Sequence, residues 1–71
     1  MLYGVECIDK ENEKNFLNIK DTADAYIAEI ETRKKFPNCK IGKTYRVYTK
    51  PETPHILDKL ELVGEDDSKQ V

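Results

Sequence analysis

Residues 21–37, DTADAYIAEIETRKKFP, contain the helix that decides the fold. Asp21 or Thr22 can accept the unpaired backbone N–H groups of a first turn, and Asp24 places negative charge beside them. Three consecutive cations suit the negative end of the helix dipole, and the proline that follows them disfavours further helical backbone. We therefore predict one helix of about 13 residues that ends near Lys35.

Strand patterns lie on both sides of this helix. Residues 2–8 and 16–20 alternate with the period of a pleated strand, and the polar turn between them predicts a hairpin. Residues 44–50 and 56–63 predict a second pair of strands, separated by a turn that contains two prolines. The order ββαββ predicts an α+β domain with a small, mainly antiparallel four-stranded sheet and one helix packed on one face.

Length and composition predict a single domain. The chain has 71 residues, of which 38% are hydrophobic and 37% are charged. A chain this small needs its apolar residues for a core, which excludes a deep hydrophobic substrate cavity. We place the domain at residues 1–64, and the polar, acidic residues 65–71 predict a disordered tail.

Periodicity also assigns side chains to the two faces of the sheet. The apolar stripe of the helix is expected to face the sheet, and it comprises Ala23, Tyr26, Ile27 and Ile30. Its expected partners in the core are Val5, Leu17, Ile19, Val47, Leu60 and Leu62. The opposite face is expected to carry Leu2, Ile8, Phe16, Tyr48 and Val63 beside Glu6, Lys20, Arg46, Lys50, Lys59 and Glu61. A shift of one residue in strand register would reverse these faces.

Residues typical of active sites and metal sites are sparse. The single histidine, His55, follows a proline in a predicted loop, without a neighbouring nucleophile or paired acid. Cys7 and Cys39 lack metal-ligand spacing and are expected to be reduced thiols, with a disulfide between them as the alternative. The three glycines are too dispersed for a phosphate-binding loop. We therefore expect a protein that is not an enzyme and uses no metal or cofactor.

Charge is segregated along the chain, although its net value is only −2. Residues 33–50 carry seven cations and no acid, whereas the flanking segments are both acidic. This basic segment also contains three aromatic residues, which would supply rings for base stacking beside cations for phosphates. It supports an alternative function, a nucleic-acid-binding domain. The same cations are also explained by the helix dipole and by lysines that protect an edge strand from aggregation.

The uncovered face of the sheet supports the preferred interpretation. One helix cannot cover both faces of a sheet, and mixed apolar and charged surfaces bind other proteins. We therefore expect a small non-enzymatic interaction module, an adaptor or inhibitor of a larger protein, that binds through this face or an edge strand. The residues expected to bind are Phe16, Arg46, Tyr48, Lys50, Arg33, Lys34 and Lys35. These features are typical of small accessory proteins of bacteria and their phages.

The protein is expected to be cytoplasmic. No apolar run approaches the roughly 18–20 residues that a membrane span needs, and residues 1–6 lack the basic and apolar regions of a signal peptide. The expected partner is a protein, with nucleic acid as the alternative and no role for a membrane. The chain itself is expected to be a monomer or a weak homodimer.

Overall fold

A computed structural model describes residues 1–65 and confirms the ββαββ fold. Its elements are β1 (Leu2–Asp9), β2 (Lys14–Asp21), α1 (Ala25–Lys35), β3 (Lys40–Thr49) and β4 (Leu57–Glu65). The strands form one antiparallel sheet in the order β2-β1-β3-β4. Helix α1 packs on one face of this sheet.

The helix ends where the sequence predicts, but it begins later. Asp24 is the N-cap, and its Oδ1 accepts a hydrogen bond from the Ile27 backbone N–H at 3.0 Å. The prediction that Asp21 or Thr22 caps the helix is therefore wrong, because β2 continues to Asp21. Lys35 is the last helical residue, which agrees with the restriction that a proline imposes on the residue before it.

The last two strands are longer than predicted. Strand β3 begins at Lys40 because Lys40 and Ile41 pair with β1, so residues 40–43 are not a connection. Strand β4 passes through Gly64, which pairs with Thr44, and ends at Glu65. The predicted tail therefore starts one residue too early, and the rest of it lies outside the described residues.

A small core lies between α1 and the sheet. Its buried apolar residues are Tyr3, Val5, Cys7, Ala28 and Ile41. Thr32 is also fully buried, and its hydroxyl accepts a hydrogen bond from the Asn18 amide at 3.0 Å and donates one to the Ala28 carbonyl. The face of α1 that meets the sheet thus consists of small side chains, which allow close approach of the helix backbone.

The predicted inward face of the helix is wrong. Tyr26 is 70% exposed and Ile27 is 36% exposed, whereas Ala28 and Thr32 are fully buried. The apolar stripe therefore points away from the sheet. The physical reason is that Ala28 and Thr32 lie one turn apart on the same side of α1 and fit close to β1 and β2, where larger side chains would hold the helix away.

The predicted faces of β2, β3 and β4 are reversed as well. Phe16, Asn18 and Lys20 point toward the helix, because they contact Phe36, Thr32 and Glu31 respectively. Since side chains alternate along a strand, the residues between them point the other way. The expected core residues that instead lie on the face opposite the helix are Leu17, Ile19, Val47, Leu60 and Leu62. Only Val5 of the expected partners packs under α1.

We predict that Ile41 and Ile27 differ sharply in their contribution to stability. Ile41 is buried under α1, so Ile41→Ala should lower the free energy of unfolding by about 2–5 kcal/mol. The matched change Ile27→Ala should cost less than about 1 kcal/mol because Ile27 faces solvent. Urea unfolding followed by circular dichroism measures both values. A larger loss for Ile27→Ala would contradict this packing.

Candidate protein-interaction surface

The sheet face opposite α1, here called the outer face, is largely apolar. Strand register places its side chains together: Gly4 pairs with Ile19 and Tyr45, and Tyr45 pairs with Leu62. All four strands contribute. The large apolar side chains of the outer face are Leu2, Leu17, Ile19, Tyr45, Val47, Leu57, Leu60 and Leu62.

Much of this apolar surface is accessible to solvent. Ile19, Leu57 and Leu62 are each close to half exposed, and Leu60 is 37% exposed. Val47 is buried, but by its neighbours on the outer face and not by the helix. Contiguous exposed apolar surface of this kind is unusual on a monomer and marks sites of association.

The outer face has little side-chain bulk at Gly4 in the inner strand β1. A Cβ atom at Gly4 would lie 3.1 Å from Ile19 Cδ1 and 3.3 Å from Val47 Cγ2, so neighbouring side chains lean over this glycine. Shallow depressions lie on this face. The first is lined by Glu6, Asn15, Phe16, Leu17, Tyr45 and Leu60. The second is lined by Leu2, Ile19, Val47, Thr49, Pro54, His55 and Leu57.

Two carboxylates of the outer face form hydrogen bonds within the molecule. The Glu6 carboxylate accepts a hydrogen bond from the Lys43 backbone N–H at 3.0 Å. A Cβ atom at Gly42 would meet the same carboxylate, so a side chain there would displace this end of Glu6. Asp21 accepts a hydrogen bond from the N-terminal ammonium of Met1 at 2.9 Å. Between these pairs the surface is apolar, which suits an apolar partner.

Three of the predicted binding residues lie on the helix side of the sheet, so their expected place on the open face is wrong. Phe16 packs edge-on against Phe36, with ring centroids 5.1 Å apart. Arg46 and Tyr48 adjoin each other, with the guanidinium carbon 4.8 Å from the centroid of the Tyr48 ring. The Arg46 Nε is buried and has no hydrogen-bond partner among residues 1–65.

Tyr48 is the centre of a polar and aromatic cluster. The Lys59 ammonium lies 5.1 Å from its ring centroid, and its hydroxyl donates a hydrogen bond to Glu61 at 2.8 Å. This hydrogen bond to a carboxylate is the largest cause that raises the pKa of Tyr48 above its ordinary value, followed by burial. Arg46 opposes the shift because its positive charge favours the phenolate.

The remaining predicted binding residues lie elsewhere. Arg33, Lys34 and Lys35 form the last turn of α1, where Arg33 bonds Glu29 at 3.3 Å. Lys50 follows β3 in an exposed turn. The helix end lies near Phe16, which pairs with Cys7, whereas Arg46 pairs with Tyr3. Four residues along β1, roughly 13 Å, separate these positions, so segment 33–50 presents its cations at separate places.

Cys7 is buried, Cys39 is half-buried, and His55 lies exposed in the turn before β4. Burial is the main cause that raises the pKa of Cys7 to about 11, and burial also raises the pKa of Cys39. Both cysteines are free. Within residues 1–65, no cluster of three or more His, Cys, Asp or Glu side chains could hold a metal ion.

Comparisons with known proteins leave the site to be interpreted from its geometry. No family model, curated protein or solved structure matches the chain. Among residues 1–65, no helix has the length and apolar character required to cross a lipid bilayer.

We predict that Glu61→Gln lowers the pKa of Tyr48 toward its ordinary value. The amide removes the negative charge that disfavours the phenolate and weakens the hydrogen bond to the hydroxyl. Titration of the Tyr48 ring carbon signal by nuclear magnetic resonance measures this pKa. Glu52→Gln, an equal charge change in an exposed turn, is the control and should leave the Tyr48 pKa unchanged. An unaltered pKa in Glu61→Gln would show that the hydroxyl has another partner.

Proposed function

We propose that this protein is a small non-enzymatic interaction module that docks its outer face on an apolar surface of a larger protein. The observation that carries the proposal is the exposed apolar surface of this face, defined by Ile19, Leu57, Leu60 and Leu62. In this role the protein acts as an adaptor or an inhibitor. In this proposal the binding residues lie on the outer face, and they differ from those that the sequence indicates.

The energetics of burial support a protein partner. Removing apolar surface from water contributes about 25 cal/mol per Å², and the outer face offers several leucine and isoleucine side chains with half of their surface in water. Association must also offset lost translational and rotational freedom. A contiguous apolar patch meets this requirement better than scattered apolar residues do.

The shape of the sheet also supports docking on this face. Sheets in folded domains are stable when both apolar faces are covered by another layer. Here α1 provides one layer, and the outer face lacks an intramolecular one within the described residues. A partner that covers it completes a three-layer arrangement across the interface, with no rearrangement of the strands required.

Nucleic-acid binding is the second candidate function. It draws on Arg46 and Lys59, which flank the Tyr48 ring and make no ion pair with a carboxylate in the described part of the chain. A ring between two cations is a feature of surfaces that bind single strands. The proposal ranks lower because the other cations of segment 33–50 lie away from this cluster.

We predict that a charge on the outer face abolishes partner binding. Leu62→Lys places an ammonium group within the apolar patch, where docking would bury it unpaired. The test is affinity capture from nuclease-treated lysate of the source cell, with the captured protein quantified for each variant. Wild type and Ile27→Lys, which changes the opposite side of the molecule, should retain the same partner, and Leu62→Lys should lose it.

Folding must be intact for this comparison, so circular dichroism and urea unfolding are measured for each variant. Equal capture by Leu62→Lys and wild type would contradict docking through the outer face. Binding that disappears after nuclease treatment and weakens steeply with salt would instead support the nucleic-acid interpretation, because phosphate contacts release counterions. In that case Arg46→Glu and Lys59→Glu should reduce binding.

A further inference from the structure

The side of α1 away from the sheet carries an apolar stripe that is partly exposed to solvent. Tyr26 is 70% exposed, Ile27 is 36% exposed and Ile30 is half-buried. These residues are spaced three and four apart, so they form one continuous strip on the helix surface. A surface helix normally turns such a stripe toward the core. Its outward direction here therefore requires an explanation.

Packing of α1 on the sheet does not account for the stripe. The helix contacts the core through Ala25, Ala28 and Thr32, which are small and lie on the opposite side. Polar residues at positions 26, 27 and 30 would leave these contacts unchanged. The exposed Tyr26 and the partly exposed isoleucines therefore point to contact with another molecule.

Charge along α1 is distributed asymmetrically. Asp24 caps the N-terminal end, and Arg33, Lys34 and Lys35 occupy the last turn. The two glutamates in the middle of the helix are already engaged, because Glu29 bonds Arg33 and Glu31 bonds Lys20. The exposed stripe thus has a carboxylate at one end and cations at the other.

We propose that α1 pairs antiparallel with α1 of a second copy of this chain about a two-fold axis. In this arrangement Ile27 and Ile30 of one copy meet Ile30 and Ile27 of the other across the axis. The cationic end of each helix then lies beside the N-terminal end of its mate, where Asp24 is located. The two helix dipoles are opposed, which is also favourable.

Symmetry makes this contact self-limiting. A two-fold interface uses the same patch on both copies and closes as a dimer, without open-ended growth. It buries only a few apolar side chains from each copy, so the dimer is expected to be weak. It also turns the two outer faces away from each other, so the dimer presents two separate docking surfaces. The inference goes beyond the proposed function and does not depend on it.

Sedimentation equilibrium over a wide range of protein concentration, up to about 1 mM, tests this proposal. The apparent mass of the wild type should rise from that of the 8.3 kDa monomer toward that of a dimer. Ile27→Lys should raise the dissociation constant at least about tenfold, because dimerisation would bury its ammonium group. Tyr26→Ala, which favours helix formation and removes only exposed surface, should also weaken the dimer.

A matched pair of charge reversals tests the antiparallel orientation. Lys34→Glu places a carboxylate near the acidic end of the second helix and should weaken the dimer. Lys10→Glu makes the same change of charge in the exposed turn between β1 and β2 and should leave the dissociation constant unchanged. Equal effects of the two reversals would overturn the antiparallel pairing.

Leu62→Lys distinguishes the two apolar surfaces. If α1 forms the dimer contact, this outer-face variant should keep the wild-type dissociation constant. A wild type that stays monomeric at all concentrations, or self-association that is lost in Leu62→Lys, overturns the inference. Neither result contradicts docking of a different protein on the outer face, which is tested by capture.

Discussion

The close approach of α1 to the sheet through small side chains is the constraint on which the rest of the structure depends. Ala28 packs among Val5, Cys7 and Ile41, and Thr32 is fully buried with its hydroxyl bonded to Asn18. The Thr32 hydroxyl also donates to the Ala28 carbonyl, and the half-buried Asn18 amide would lose this hydrogen bond if β2 turned its other side to the helix. This pair therefore fixes which side of β2 faces the helix, and strand pairing transmits that choice across β1 to β3 and β4.

Two apolar surfaces remain uncovered as a consequence. Because the helix uses its small residues for packing, its larger apolar residues face solvent, and because β2 turns Asn18 inward, Leu17 and Ile19 face outward. The core is correspondingly small. The apolar side chains on these two surfaces are a large share of those in a chain of 71 residues. The fold therefore places apolar surface where other molecules can reach it, and this is the basis of the proposed binding roles.

The sequence is sufficient for the order and type of the elements and for the faces of β1, but not for the faces of α1, β2, β3 and β4. Proline and the cations fix the end of α1 locally, and alternation identifies strands without reference to the rest of the fold. The face of the sheet that a side chain occupies depends on tertiary contacts. In β2, residues 16–20 place apolar side chains on both sides, and a register shift of one residue exchanges them. The apolar stripe of α1 favours Leu17 and Ile19 toward the helix, whereas the hydrogen bond between Asn18 and Thr32 turns Asn18 toward it. These two residues are 14 positions apart, so no local sequence pattern predicts their contact.

The same reasoning explains the candidate site. The sequence indicates Phe16, Arg46 and Tyr48 as binding residues because their chemistry is typical of interfaces, and this chemistry is recognisable without the fold. Their position could not, because it depends on the reversed faces. The outer face is identifiable only from strand pairing, which brings Leu17, Tyr45 and Leu60 around one depression.

Nuclear Overhauser contacts from assigned methyl groups test this arrangement most directly. The account predicts contacts from Ala28 to Val5 and Ile41, and contacts among outer-face methyl groups but none from Leu17 or Ile19 to α1. Contacts between α1 and either of those two residues would contradict it.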